Sequence, residues 1–95
     1  MSKVFLFVEI EVQPGQAEAF IGKLRSHIGV VRSEEGCESI ELYLNSTNEN
    51  MVHVWEIWSN RELWDAHMAN SASSAWREIA ADYVHGEKIT VMHQA

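Results

Sequence analysis

The sequence predicts an α+β fold with the element order β-α-β-β-α-β, in which helices cover one face of a four-stranded antiparallel sheet. Three observations lead to this prediction. Two stretches carry apolar side chains at helical spacing, four have the composition or alternation of strands, and polar or glycine-containing turns separate them. We expect a single domain, 1–95, because a second one would have no room for a core.

The first strand and helix are predicted from the amino-terminal third of the chain. Residues 4–12 are apolar on both faces at first and then alternate, and the sequence Gln-Pro-Gly at 13–15 breaks the strand. Residues 15–33 are predicted to form an amphipathic helix, with Gly36 as its left-handed cap. The apolar positions of this helix are Ala17, Phe20, Ile21, Leu24, Ile28 and Val31.

Two further strands are expected around a polar loop at 45–50. Residues 40–44 alternate apolar and polar side chains, whereas residues 51–58 carry large side chains on both faces. In this third strand Met51, His53, Trp55 and Ile57 point one way, and Val52, Val54, Glu56 and Trp58 point the other.

The second helical region begins with the spacing of a capping box, Ser59 followed by Glu62. Cap-forming residues at 70–74 interrupt it before the helical pattern resumes. His85-Gly86 is predicted to close this helix, and residues 89–92 to form the last strand.

Composition excludes several classes of function. The 14 acidic residues outnumber the 7 basic ones, which are scattered, so nucleic-acid binding is not expected. The longest apolar run, 4–8, is far shorter than the roughly 20 residues of a membrane helix, and the amino terminus lacks signal-peptide features. We therefore expect no membrane association and a cytoplasmic location. The single Cys37 excludes an internal disulfide and is expected to be a small buried residue.

The third strand also predicts the oligomeric state. The helices can cover only one of its two apolar faces, and the other would be a larger apolar patch than soluble monomers usually expose. We expect a homodimer with the sheets packed face to face, in which His53 and Trp55 lie in the interface.

No metal or nucleotide cofactor is expected. The five histidines are spread over separate elements and lack the spacing of zinc ligands, and no glycine-rich phosphate loop is present.

Three segments resemble the antibiotic biosynthesis monooxygenase (ABM) superfamily. Residues 12–20 resemble its strand-to-helix turn, and Glu34-Glu35-Gly36-Cys37 is a variant of its Glu-Pro-Gly-Cys turn. Glu56-Ile57-Trp58, followed by Glu62-Leu63 and Ala66-His67, resembles the family's Glu-x-Trp strand end and downstream histidine.

The resemblance, which covers most of residues 4–84, implies a ferredoxin-like fold dimerised into an α/β barrel with a pocket between sheet and helices. Some members of the family oxygenate hydroquinones or polyketide aromatics without metal or flavin. Others degrade haem or isomerise a phosphorylated autoinducer, so the fold alone leaves the reaction open.

Three departures from the family pattern bear on the reaction. Serines at 73–74 stand where the family often has a second histidine, and Val54 stands where polyketide oxygenases have an asparagine. Haem-degrading members use an asparagine on the first strand, and the residues available there are Phe5, Phe7 and Val8. These differences disfavour haem degradation.

His67 and Glu56 are the predicted catalytic residues. A histidine titrates near neutral pH, so His67 is suited to deprotonate a phenol or quinol, whose anion could then pass an electron to dioxygen. Glu56 could be a buried carboxylate with a raised pKa, suited to proton transfer. The alternatives are a structural histidine and a glutamate paired with arginine or histidine.

Three more residues are predicted to bind substrate. Trp58 could stack on an aromatic ring and exclude water, Arg77 could hold an oxyanion, and Trp76 lies beside Arg77. The alternatives are core positions for both tryptophans and, for Arg77, a surface salt bridge with Glu78 or Asp82.

The predicted function is cofactor-independent monooxygenation of a small aromatic, phenolic or quinol substrate by dioxygen. An isomerase of a small hydroxyketone, or a non-enzymatic ligand-binding dimer of the same fold, is the alternative.

Overall fold

The computed structural model describes residues 2–95 and has the predicted order of strands and helices, except that the second helical region is two helices. The elements are β1 Val4–Val12, α1 Ala17–Arg32, β2 Cys37–Leu44, β3 Met51–Trp58, α2 Arg61–Ala69, α3 Ser71–Ala80 and β4 Val84–Met92.

The four strands form one antiparallel sheet in the order β2-β3-β1-β4. This is the ferredoxin-like arrangement, with β1 and β3 in the centre. Val8 of β1 lies opposite Val54 of β3 on one side and Ile89 of β4 on the other. Because directly paired residues of an antiparallel sheet point to the same face, this register aligns the apolar sides of the strands.

The hydrophobic core lies between the sheet and the helices. Alternate residues of β1 are buried there, and α1 adds a stripe that ends at Val31. Phe20 and Trp58 are among the largest fully buried side chains. The helical and strand periodicities of the sequence therefore predict the core correctly.

The opposite face of the sheet carries large side chains that no helix covers. Phe5 and Phe7 of β1 lie here beside His53 and Trp55 of β3, and the rings of Phe7 and His53 stack with centroids 5.4 Å apart. The predicted division of β3 into two faces is thus confirmed. Pairing of this face with a second chain remains a prediction.

Gly36 has the predicted left-handed backbone, with φ of 87°, but it does not cap α1. The helix ends with Ser33 as its C-cap, and Gly36 lies in the turn into β2. A Cβ at Gly36 would lie 2.6 Å from Cβ of Leu63, so the turn also requires glycine for lack of space.

The N-cap of α2 is Asn60 and not Ser59, which corrects the predicted capping box. The Asn60 side chain accepts a hydrogen bond of 2.9 Å from the backbone N–H of Leu63. The Ser59 hydroxyl instead donates to Glu38 at 2.8 Å. Because its hydroxyl is hydrogen-bonded to Glu38, Ser59 does not cap the helix.

β4 begins at Val84, five residues earlier than predicted. His85 and Gly86 belong to this strand and do not close a helix, because β1 is long enough to pair with β4 as far as Val84. A register shift between Glu11 and Val12 accommodates the extra residue. Within the described residues, no helix is both long and apolar enough to cross a membrane.

Candidate functional site

A cavity of about 490 Å³ lies between the helix-facing side of the sheet and the three helices. Most of its lining is aliphatic, from residues such as Val8, Leu24 and Val54. Its polar and charged lining residues come from all three helices and from two strands: His27, Glu56, His67, Ser73, Arg77 and Glu87. Such a volume and lining are typical of sites for small organic molecules.

His67 is held at the wall of this cavity by a carboxylate. It is only 9% exposed, and its Nδ1 lies 2.6 Å from Oε1 of Glu34. The same oxygen accepts a hydrogen bond from the amide nitrogen of Asn70, so we assign it as the acceptor and place the proton of the His67–Glu34 hydrogen bond on Nδ1. The other ring nitrogen, Nε2, is therefore the one available to a molecule in the cavity.

Residues at the break between α2 and α3 surround the His67–Glu34 pair and form hydrogen bonds with it. The side chain of Asn70 accepts a hydrogen bond of 2.8 Å from the Ser73 backbone, which caps α3, and donates one of 3.0 Å to Glu34. The hydroxyl of Ser73 donates to the carbonyl of His67 at 2.6 Å. Helix capping and the placement of Glu34 thus depend on the same asparagine.

Trp58 lies behind His67 and does not line the cavity. No part of Trp58 is exposed (0%), and its ring stacks on the imidazole with centroids 4.6 Å apart. Its indole N–H donates to Oε1 of Glu56 at 2.9 Å. The predicted stacking of Trp58 on a substrate is not supported by this position, because both His67 and the core already surround the ring. Its structural role is to connect His67 with Glu56.

Glu56 is a largely buried carboxyl group that lines the cavity. Burial raises its pKa above the ordinary value, and the hydrogen bond from Trp58 opposes this shift. The partner of Glu56 is an indole and not the arginine or histidine considered from the sequence. A carboxyl group with a raised pKa in a cavity is suited to donate and accept a proton.

Trp76 lines the cavity from α3 and packs against α1. Its ring stacks on the imidazole of His27, with centroids 4.6 Å apart and planes 5° apart, and it also contacts Phe20. Burial lowers the pKa of His27, as does the nearby His67, while Glu34 has the opposite effect. The sequence placed Trp76 in the site but did not single out His27.

Arg77 lies at the exposed edge of the cavity. One guanidinium nitrogen, Nη1, donates to the carbonyl of Met68 at 3.1 Å. In residues 2–95 it forms no salt bridge with Glu78 or Asp82, the alternative considered from the sequence. Its remaining N–H groups are therefore open to an anionic group, and the anchoring role stays a prediction.

Cys37 is half-buried and is not a reactive thiol. Burial, followed by the negative charges of Glu56 and Glu34, raises its pKa to about 11. The thiolate is the nucleophilic form, so Cys37 is almost entirely unreactive at neutral pH.

Three residues of the site were missed from the sequence: Glu34, His27 and Asn70. Glu34 is 33 residues from His67, and the local sequence indicates only that it belongs to the turn after α1. The one available signal was that Glu34 opens the turn that resembles the ABM superfamily. The sequence indicates a cap-forming role for Asn70, whereas nothing local distinguishes His27 from an ordinary helix residue.

Comparison with known proteins gives matches over most of the chain. Residues 3–79 match the family described as antibiotic biosynthesis monooxygenase. An uncharacterised protein of Synechocystis is 38% identical over 58 residues, which are 61% of this chain and 40% of that protein. The chain thus spans less than half the length of this relative.

Two solved structures superpose closely on the fold. A Pseudomonas aeruginosa protein has a TM-score of 0.92 at 20% identity, covering 100% of this chain and 96% of that one. A crystal structure of an antibiotic biosynthesis monooxygenase has a TM-score of 0.89 at 14% identity, with coverage of 97% and 98%. At these identities the likeness shows the shared fold.

Proposed function

Since this chain belongs to the antibiotic biosynthesis monooxygenase family, we propose that it oxygenates a small phenol or quinol with dioxygen and without a metal or flavin. One observation carries the proposal: a buried imidazole has one nitrogen bound to Glu34 and the other available to an aliphatic cavity. This is the arrangement of an oriented general base.

In the proposed reaction Nε2 of His67 takes the proton of the substrate hydroxyl. Glu34 then stabilises the imidazolium, and a low-dielectric cavity strengthens that interaction relative to water. The substrate anion is the reductant: it passes electrons to dioxygen, one oxygen atom enters the ring, and the other leaves as water. The remaining proposed contacts are Glu56 as a proton donor, Trp76 as part of the wall and Arg77 as an anchor for an anionic substituent.

The test is oxygen consumption in the presence of a panel of hydroquinones. His67→Ala should lower kcat/KM by about 100-fold or more, since general base catalysis contributes at least that much. Far-ultraviolet circular dichroism of the variant should match the unchanged protein. Turnover that is equal in the two proteins would remove His67 from the mechanism.

An isomerase of a small hydroxyketone is the second candidate. The observation that favours it is the pair of proton-handling groups in one cavity, because His67 as base and Glu56 as acid could move a proton between two carbons. Isomerisation needs no oxidant. Turnover under argon therefore supports the isomerase, and turnover that requires dioxygen supports the oxygenase.

We also propose that the chain works as a homodimer through the uncovered face of the sheet, which carries Phe5, Phe7 and Trp55. Sedimentation equilibrium at micromolar concentration should give twice the chain mass of 10.8 kDa. A species at the mass of one chain would contradict this part of the proposal.

A further inference from the structure

We propose that His27 is a second proton-accepting residue of the site, contacting a substrate oxygen other than the one that His67 deprotonates. This inference rests on the proposed oxygenase function and assigns a role to a histidine on α1. It makes the site a two-base site, with one histidine on each of two helices.

The position of His27 supports this assignment. The residue is half-buried, lines the same cavity as His67, and has one ring face covered by Trp76. Among residues 2–95, no side chain or backbone group forms a hydrogen bond with its ring nitrogens. Stacking thus fixes the plane of the imidazole while leaving its nitrogens without a protein partner.

The protonation state of His27 fits an acceptor. Burial and the neighbouring His67 both disfavour a charge on its ring, which leaves it neutral at neutral pH. A proton already on His67 makes a second proton on His27 still less favourable. The charged and titratable groups that face the cavity from the other elements are Glu56, His67, Arg77 and Glu87, with Glu34 behind His67.

The chemistry of a quinol provides a reason for two bases. Conversion of a quinol and dioxygen to a hydroxyquinone and water oxidises the organic molecule by four electrons, which dioxygen takes up. Both hydroxyl protons must leave the quinol. In our proposal His67 accepts one of them and His27 the other, so each oxygen keeps its electron pair and the ring becomes a better reductant.

The test compares His27→Phe, which keeps a ring against Trp76 but has no nitrogen, with the surface control His85→Phe. We use 1,4-dihydroxynaphthalene as the substrate probe. His27→Phe should lower kcat by about 100-fold, with unfolding midpoint and KM nearly unchanged, and His85→Phe should behave like the unchanged protein.

The pH profile separates a catalytic role from a packing role. Once the pH is below the lowered pKa of His27, so that both imidazoles are protonated, kcat/KM of the unchanged protein should fall with the second power of the proton concentration, because both must lose a proton before they can act as bases. In His27→Phe it should fall with the first power. A variant that keeps full kcat and the second-power dependence would overturn the inference while leaving the proposed function intact.

A binding measurement covers the case in which the unchanged protein does not oxygenate the probe. Under argon, 1,4-dihydroxynaphthalene should shift the nitrogen NMR resonances of the His27 ring, and 1,4-dimethoxynaphthalene, which has no hydroxyl, should not. A shift without turnover would contradict the proposed function and support His27 as a contact. No shift at saturating probe would overturn the inference on His27.

Discussion

The two faces of the sheet are built from the same strands and differ in what covers them. On the helix-covered face, the carboxyl group of Glu56 accepts a hydrogen bond from Trp58, and His67 of α2 is hydrogen-bonded to Glu34. On the uncovered face, His53 has only the loop residue Asn45 as a side-chain partner, and its Nδ1 is buried without one in the described part of the chain. Oε2 of Glu34, on the helix side, is likewise buried without a partner among residues 2–95. The faces therefore differ in what covers them: three helices pack on one, whereas the other carries an aromatic surface that no helix of the chain covers.

The face to which a side chain of a strand points decides which of two structures it supports, the cavity or the proposed dimer. Neighbouring residues of β3 point to opposite faces, so Trp58 supports the cavity while Trp55 supports the proposed dimer. A change at one face should therefore leave the other largely intact.

The largest expected effect compares these two tryptophans. Trp58→Ala should lower the free energy of unfolding by about 3–5 kcal/mol at every protein concentration, because it empties a completely buried site. Trp55→Ala should mainly weaken association, so its effect on urea unfolding should depend on protein concentration. If urea unfolding of the two variants depended equally on protein concentration, the proposed division of the two faces would be wrong.

The second prediction concerns the close contact between Gly36, in the turn before β2, and Leu63 of α2. Gly15→Ala introduces a side chain at φ of 81° with open space around it, and should cost about 1–2 kcal/mol. Gly36→Ala has nearly the same φ but places Cβ 2.6 Å from Leu63, and should cost about 1–3 kcal/mol more. Equal losses in chemical denaturation would show that Leu63 moves aside freely.

A third effect addresses the orientation of His67. In Glu34→Gln the side-chain amide can donate to Nδ1, which would favour the tautomer with the proton on Nε2 and so remove the base. We expect kcat to fall by about 100-fold, with little change in stability. Glu35→Gln, on the exposed neighbour, is the matched control and should retain full activity.

The smallest effect is a pH dependence of stability on the covered face. Burial raises the folded-state pKa of Glu56 above 4.5, so the folded protein binds this proton more tightly than the unfolded chain. The stability associated with the protonated form is present below pH 4.5 and is lost as pH rises through the folded pKa. Glu56→Gln should therefore gain in Tm relative to the unchanged protein as pH increases. A constant difference in Tm would contradict the raised pKa.

The features that could be predicted from the sequence are those that depend on the spacing of apolar residues within one strand or helix. The alternation of β3 and the helical stripe of α1 depend on which residues are apolar, and both are found as expected. The family resemblance likewise pointed to His67 and Glu56 through a local motif, and both line the cavity, while their catalytic roles stay proposals. In each case the signal lies within a few residues of the feature.

The features that were missed depend on partners far apart in the chain. Glu34 reaches His67 across 33 residues, and Ser59 gives up its capping role to Glu38, which is 21 residues away. The early start of β4 depends on pairing with β1. Periodicity carries no information on such contacts, which exist only after the elements have packed.

The most direct test of the central claim is a crystal structure with 1,4-dihydroxynaphthalene bound under argon. The proposed function predicts the ring inside the cavity of α1, α2, α3 and the sheet, with one hydroxyl about 2.6–3.2 Å from Nε2 of His67. Glu34 should still hold Nδ1. A ligand bound only on the uncovered face, or a cavity closed by side chains with His67 turned away from it, would contradict the account.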